Sequence, residues 1–408
     1  MIFREKSTYL VLLISILLLS SGCQTEGREK NRTVAPVRSD EKKAPYRLSP
    51  TLEIVKYEAG DITPRSWLFH YERLDHPELK ILRENEGLEV MVKDAESDLG
   101  KALLLSDWTN SQWKQGVPDP YPPWNANTIL KMARDTGNGG FCAQYAVVFV
   151  QACLSMGIQA RYVDLNSGKV GDSGHFSAEV WSSDLDKWVA VDPFYNRYFK
   201  SEGKPLGALE IHQQIAMGKA EKISVIKGNG KNADANTGST SIKNIIDHYR
   251  QLAVDMRTDH LSSPQHFWDR RATYLSWKDE ITDGRPDIFR LIVSDTEEFN
   301  FSMNRVQVMV QQQSRPKNIL LMLRTNTPGL EGIEVKYGDE SDWSSLPGLF
   351  YKDGKDIEKA LVTNTHGSVI PLFYTIHKGN NELYFRSVNS RGVKGHPTYI
   401  NISYSPDN

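Results

Sequence analysis

The sequence predicts an α+β protein: a helix-flanked domain with a mixed helical and strand core, followed by a C-terminal β-sandwich. Three observations predict it. From Glu78 to Trp113 the apolar residues Leu79, Leu82, Leu88, Met91, Leu99, Leu103 and Trp108 recur at spacings near three and four, a helical period. Phe141 to Met156 is apolar on every side, as in a buried helix, and three short strand-like runs follow it. From about Phe289 the period falls to two: Val306, Val308 and Val310, then Ile333, Val335 and Tyr337, then Ile400, Ile402 and Tyr404.

At the N-terminus, Arg4 and Lys6 precede an apolar run from Tyr9 to Leu19 broken only by Ser15. As a helix this run spans about 16 Å, too short for a hydrocarbon core of about 30 Å, so residues 1–23 read as an export signal. Ser20-Ser21-Gly22-Cys23 resembles a bacterial lipobox, which implies lipidation of Cys23 and anchoring of the exported protein to a bacterial membrane. Residues 24–50 are polar and charged with scattered proline, the composition of a flexible tether.

After the helical stretch, Pro118, Pro120, Pro122 and Pro123 impose a loop, and a short helix is expected from about Asn125 through Met132. Gly139-Gly140 sets the start of the buried helix and Gly157 its stop. Strands are expected over 160–165, 175–181 and 186–192, the last stopped by Pro193. Residues 206–278 read as helical, with a Gly/Asn/Lys/Thr-rich surface loop over 227–240. The domains expected are 51–288 and, as the sandwich, 289–408.

Composition excludes some functions. The 408 residues are 39% hydrophobic, enough for a large core. Lys and Arg total 49 against 51 Asp and Glu, so nothing in the balance favours nucleic acid. The histidines show no zinc spacing, and no glycine loop is shaped for phosphate, so no metal or cofactor is expected. Of three cysteines, Cys142 and Cys153 lie on one helix about 16 Å apart, too far for a disulfide. Cys153 reads as core. Cys142 needs another explanation.

A thiol nucleophile requires a base and a group that orients the base. Cys142 stands in the first turn of the buried helix, where unpaired N–H groups favour negative charge. His175, Ser177, Glu179 and Trp181 share one face of the second strand, and Asp186, Trp188, Ala190 and Asp192 share one face of the third. With a loop over 182–185, Trp181 opposes Asp186 and His175 falls opposite Asp192. Taken singly, a buried Cys is core, a strand His is surface and an Asp before Pro is a turn residue. Their order together points to a Cys142-His175-Asp192 triad.

Gly140-Phe141-Cys142-Ala143-Gln144-Tyr145-Ala146, Gly157-Ile158-Gln159-Ala160-Arg161, His175 opening a strand, and Trp188-Val189-Ala190-Val191-Asp192-Pro193 resemble, in that order, the signature of the transglutaminase-like superfamily. The resemblance covers roughly residues 99–196; Ala143 stands where the family often has Trp. It implies a papain-like core and thiol-dependent acyl transfer on an amide or isopeptide bond of a peptide, protein or cell-wall substrate. The reaction ends in hydrolysis (amidase or protease) or in transamidation. It also implies Trp113 as an indole oxyanion donor, with Trp124 a second tryptophan nearer the helix. The competing expectations are an inactive envelope scaffold and a glycan- or peptide-binding protein that uses the same fold.

Overall fold

Chain order begins with β1 (Tyr46–Ser49) and β2 (Leu52–Glu58), then α1 (Pro64–Leu68), α2 (Pro77–Asn85), α3 (Leu88–Val92), α4 (Asp98–Ser111), α5 (Ala126–Thr136) and α6 (Cys142–Ser155). The structure, a computed structural model, describes residues 46–60, 62–169, 174–228, 231–232, 246–264, 274–282, 291–312, 317–346 and 369–406. The export signal with Cys23, and the tether as far as residue 45, lie outside the described residues.

The buried helix forms where its apolar circumference demands it. From Ala143 to Ser155 every residue of α6 is buried. Around it, α2, α4 and α5 present Leu79, Leu82, Leu105, Ile129 and Leu130 to Val147, Phe149 and Val150. Asn125 caps α5 by accepting from the Thr128 N–H at 3.0 Å, and Gly137 ends it with φ +73°.

Next come β3 (Ala160–Asn166), β4 (His175–Ser182), β5 (Lys187–Asp192), β6 (Arg197–Ser201), β7 (Lys204–Pro205) and the helix α7 (Ala208–Ala216). Then β8 (Ile223–Lys227), β9 (Lys231–Asn232), β10 (Gln251–Asp255), β11 (Tyr274–Trp277) and β12 (Leu291–Val293) complete a sheet ordered β12-β11-β10-β3-β4-β5-β6-β8-β9, with β7 on β6. One sheet face, with Ala178 and Val180, packs on α6; the other, with Trp181, Trp188 and Ala190, packs on α7.

The helical expectation over 206–278 holds only for α7. Among the described residues the other elements of this span are short strands and two 3-10 turns, Ala220–Lys222 and Asp247–Arg250, and most of the loop expected over 227–240 lies outside the described residues. Leu252, Ala253 and Val254 are buried on both faces, so β10 shows no alternation, and a short continuous apolar run has no period to separate strand from helix.

The sandwich comprises β13 (Val306–Gln312), β14 (Asn318–Thr325), β15 (Leu330–Tyr337), β16 (Ser344–Ser345), β17 (Val369–Thr375), β18 (Gly379–Asn389) and β19 (Thr398–Tyr404). Among the described residues one layer is ordered β13-β14-β17 and the other β1-β2-β19-β18-β15-β16. Leu321, Leu323, Ile333, Val335, Leu383, Phe385, Ile400 and Ile402 fill the space between them. Both expected boundaries shift. Residues 46–58 belong to the sandwich, because Leu52 and Ile54 complete its core and β2 covers the edge of β19. Residues 291–293 belong to the other sheet, where β12 runs parallel to β11.

A buried ion pair ties these parts together. Arg161 and Glu179 face each other across β3 and β4, both fully buried. Arg161 Nε and Nη2 donate to Glu179 Oε2 at 2.9 and 2.7 Å, and Nη1 donates to the Phe299 carbonyl at 2.9 Å. Glu179 Oε1 accepts the Ala208 N–H at 2.6 Å, at the start of α7. The guanidinium lies 4.2 Å from the Trp188 ring centre, and Trp188 Nε1 donates to the Phe301 carbonyl at 2.8 Å. Removing the cation alone leaves a buried carboxylate uncompensated. Arg161→Ala should cost about 3–5 kcal/mol, measured by urea unfolding followed by far-UV circular dichroism.

Candidate active site

The approach to α6 is built from glycine. A Cβ on Gly139 would stand 2.4 Å from Trp113 Cδ2, and Gly140 takes φ +115°. The Phe141 N–H donates to Gln144 Oε1 at 3.1 Å, which folds the Gln144 side chain back over the helix start. Cys142 is half-buried in that first turn, where backbone N–H groups have no intrahelical acceptor. Cys153, on the same helix, is fully buried and free, and burial pushes its thiol up, as expected of a packing residue.

His175 opens β4 and Asp192 closes β5, and His175 Nε2 lies 3.0 Å from Asp192 Oδ2. The pairing is shifted by two residues from the expected register. Trp181 opposes Trp188, not Asp186, and Ser182 opposes Lys187. The turn is therefore 183–186, with Asp186 left-handed at φ +54°. The opposed Trp181 and Trp188 rings meet edge to face, centres 5.5 Å apart, a contact the expected register would have broken. A two-residue shift keeps every side chain on its face, so His175 and Asp192 meet diagonally instead of directly across.

His175 is also coupled to Cys142, whose side chain helps to raise the imidazole pKa, so one imidazole bonds the carboxylate and is influenced by the sulfur. Burial alone would lower the His175 pKa. The Asp192 charge, the bond to Asp192 and the Cys142 side chain outweigh it and raise the group from 6.5 to about 9. Burial would raise Asp192, but the charges of His175 and Arg197 hold its carboxyl down at about 2.

Arg197 is the residue the sequence reading missed. Its Nε donates to Asp192 Oδ2 at 3.0 Å, while the Tyr195 N–H donates to Oδ1 at 3.3 Å. The guanidinium stacks 4.2 Å from the Tyr195 ring centre, and that ring lies 5.4 Å from the imidazole. A signal was present. Pro193 stops β5, and the turn through Asn196, left-handed at φ +50°, pairs Asp192 with Arg197. Tyr195, 45% exposed, and His248, 6.0 Å from His175, border the site on the solvent side.

The oxyanion role expected of Trp113 does not fit its placement. The indole Nε1–H donates to the Gly140 carbonyl at 3.2 Å, and the ring is buried 4.2 Å from Tyr145. Trp113 thus pins the glycine carbonyl, which also accepts the Gly116 N–H at 3.1 Å. Beside Trp113, the Gln112 amide donates to the Trp108 carbonyl at 3.0 Å. Among the described residues the Cys142 backbone N–H at the helix start and the Gln144 Nε2, which has no partner, remain as donors near the thiol. Trp124 packs against Tyr162 and Phe176, ring centres 4.9 and 5.5 Å away. Among the described residues no group of three or more His, Cys, Asp or Glu is arranged to hold a metal ion.

Residues 88–193 match the family model described as the transglutaminase-like superfamily, so the chain carries a transglutaminase-like domain over that span. Among solved structures, red sea bream transglutaminase aligns over 81% of this chain and 73% of its own, at 10% identity and a TM-score of 0.22. No curated protein matches the sequence.

The charged pair has a pH signature. His175, with its pKa raised, contributes stability that is full below pH 6.5 and is lost as pH rises through about 9. Asp192, with its pKa lowered, contributes stability that is full above pH 3.8 and is lost as pH falls through about 2. Asp192→Asn should return the His175 titration toward 6.5 or below, read from imidazole proton shifts by NMR, and should remove the stability lost between pH 6.5 and 9.

Proposed function

We propose that this protein is an exported thiol enzyme that transfers acyl groups from amide or isopeptide bonds through Cys142, His175 and Asp192. The observation that carries this reading is the single imidazole that lies 3.0 Å from the Asp192 carboxylate and is electrostatically coupled to the Cys142 thiol at the start of α6. In the proposed reaction the proton rests on His175 and the sulfur attacks the substrate carbonyl carbon as an anion. Asp192 holds the imidazolium in place and stabilises its charge. The carbonyl electrons move onto oxygen, which the Cys142 backbone N–H stabilises at the helix start. Collapse expels ammonia or an amine, which takes its proton from His175, and leaves a thioester on Cys142. Water, or a second amine, delivers a proton to His175 as it attacks, and displaces the sulfur. Water gives hydrolysis and an amine gives transamidation.

The substrate class is a peptide, protein or cell-wall amide, and the location proposed is a bacterial envelope, with Cys23 lipidated. The residue pattern through Cys23 supports the anchor. Among the described residues no helix is long and apolar enough to cross a membrane.

An acyl-donor amide mimic with an electrophilic warhead should label Cys142 at neutral pH. Labelling should fall by about 10²-fold or more in His175→Ala, while Cys153, fully buried, stays unlabelled. Labelling of wild type and His175→Ala at equal rates would contradict the reading. Trp113→Phe should lower stability by about 1 kcal/mol through loss of the Gly140 bond and leave the labelling rate within a few-fold of wild type.

A further inference from the structure

A cavity of about 590 Å³ opens far from the thiol, where the sandwich meets the β4–β5 turn. Tyr384, Tyr399 and Glu58 line it from the sandwich, and Asp186, Arg305 and His396 from the junction. β4 runs from His175 to Ser182, so the turn beyond it lies roughly 23 Å from the imidazole. The cavity is therefore a separate place on the molecule.

Its floor continues into an aromatic row on the outward face of the larger sandwich sheet. Register sets Glu58 opposite Tyr399, Tyr399 opposite Tyr384 and Tyr384 opposite Lys336, straight across four strands. The two tyrosine rings lie 4.7 Å apart. Two residues along β18, the Arg386 guanidinium stacks 4.0 Å from the Trp343 ring centre and extends the row. These rings are anchored. Tyr399 donates its hydroxyl to Glu382 at 3.1 Å and Tyr384 to Asp339 at 2.5 Å.

The junction side is polar and held in place. Arg305 pairs with Asp186, and His396 Nδ1 lies 3.2 Å from the Ser183 carbonyl. Gly60 makes room for that arginine, since a Cβ there would stand 2.3 Å from Arg305 Nε. Thr63, 9% exposed, lines the same cavity, and its Oγ1 has no partner among the described residues. Three carboxylates, Glu58, Asp186 and Glu297, line the space with Arg305 and His396; Asp186 is paired with Arg305 and Glu58 with Lys56, so the lining presents no block of one sign for a polyanion or a polycation. Anchored rings beside fixed donors and acceptors suit a neutral ligand with apolar C–H faces and many hydroxyls.

We propose that this cavity and the Tyr384–Tyr399 row form an oligosaccharide-binding site, separate from the thiol site and independent of its activity. Such a site gives the sandwich a function of its own, which is to hold the protein on a glycan polymer.

The test applies the full-length protein in detergent to an array of neutral and N-acetylated oligosaccharides, with short peptides alongside, and then titrates the strongest binder by calorimetry. Saturable saccharide binding is expected, weakened about tenfold or more by Tyr384→Ala and by Tyr399→Ala. Glu58→Trp fills the cavity mouth from an exposed position and should weaken binding as much, even if a tyrosine variant fails to fold. Cys142→Ala should bind like wild type. Three results would overturn the proposal: no saccharide bound, binding only to peptides, or saccharide binding that survives Glu58→Trp or is lost in Cys142→Ala.

Discussion

The pairing of Trp181 with Trp188 sets the β4–β5 register, and that register decides which residues share the face on which His175 meets Asp192. A one-residue slip would turn one of the two side chains to the opposite face and dissolve the contact. The structure guards against it on both sides of the hairpin. Trp188 is fastened to the Phe301 carbonyl, and Glu179, one strand position from Ala178, is held by Arg161 and by the start of α7. The ion pair that looks remote from the chemistry thus serves it by fixing the strand that carries the imidazole.

Around Asp192 the same economy holds. One carboxylate oxygen meets both His175 and Arg197, and the other takes the Tyr195 N–H. A fully buried carboxylate with three partners has little freedom to rotate. Arg197 keeps it charged, and the charge in turn keeps the imidazole protonated. The helix start contributes its part through glycine: Gly139 admits the Trp113 ring, whose N–H pins the Gly140 carbonyl so that the chain turns into α6 at Cys142.

Much of this was legible in the residues. The all-round apolar surface of α6 and the glycines before it locate Cys142, and period-two faces bring His175 and Asp192 to one side of a hairpin. What escaped depended on contacts distant in sequence. The direction of the Trp113 indole depends on a carbonyl 27 residues away, and no local pattern reports it. Leu52 and Ile54 join a core whose other members begin at Val306, so the N-terminal strands of the sandwich carry no sign of their partner. The strands between α7 and β12 are too short for a period to show, and β10 and β11 are too evenly buried. Arg197 was within reach, because the hairpin logic applied to β4 and β5 applies equally to the turn after Pro193.

The account stands on Cys142 as an acyl-accepting nucleophile served by His175. The most direct measurement is rapid-quench intact-protein mass spectrometry with p-nitrophenyl acetate as a small activated acyl donor, followed by peptide mapping. The account predicts an acetyl adduct on Cys142 that forms in a burst and is discharged by water or by an added primary amine, with formation slowed by orders of magnitude in His175→Ala. Acetylation confined to lysines, or a Cys142 adduct that forms at the same rate without His175, would contradict it.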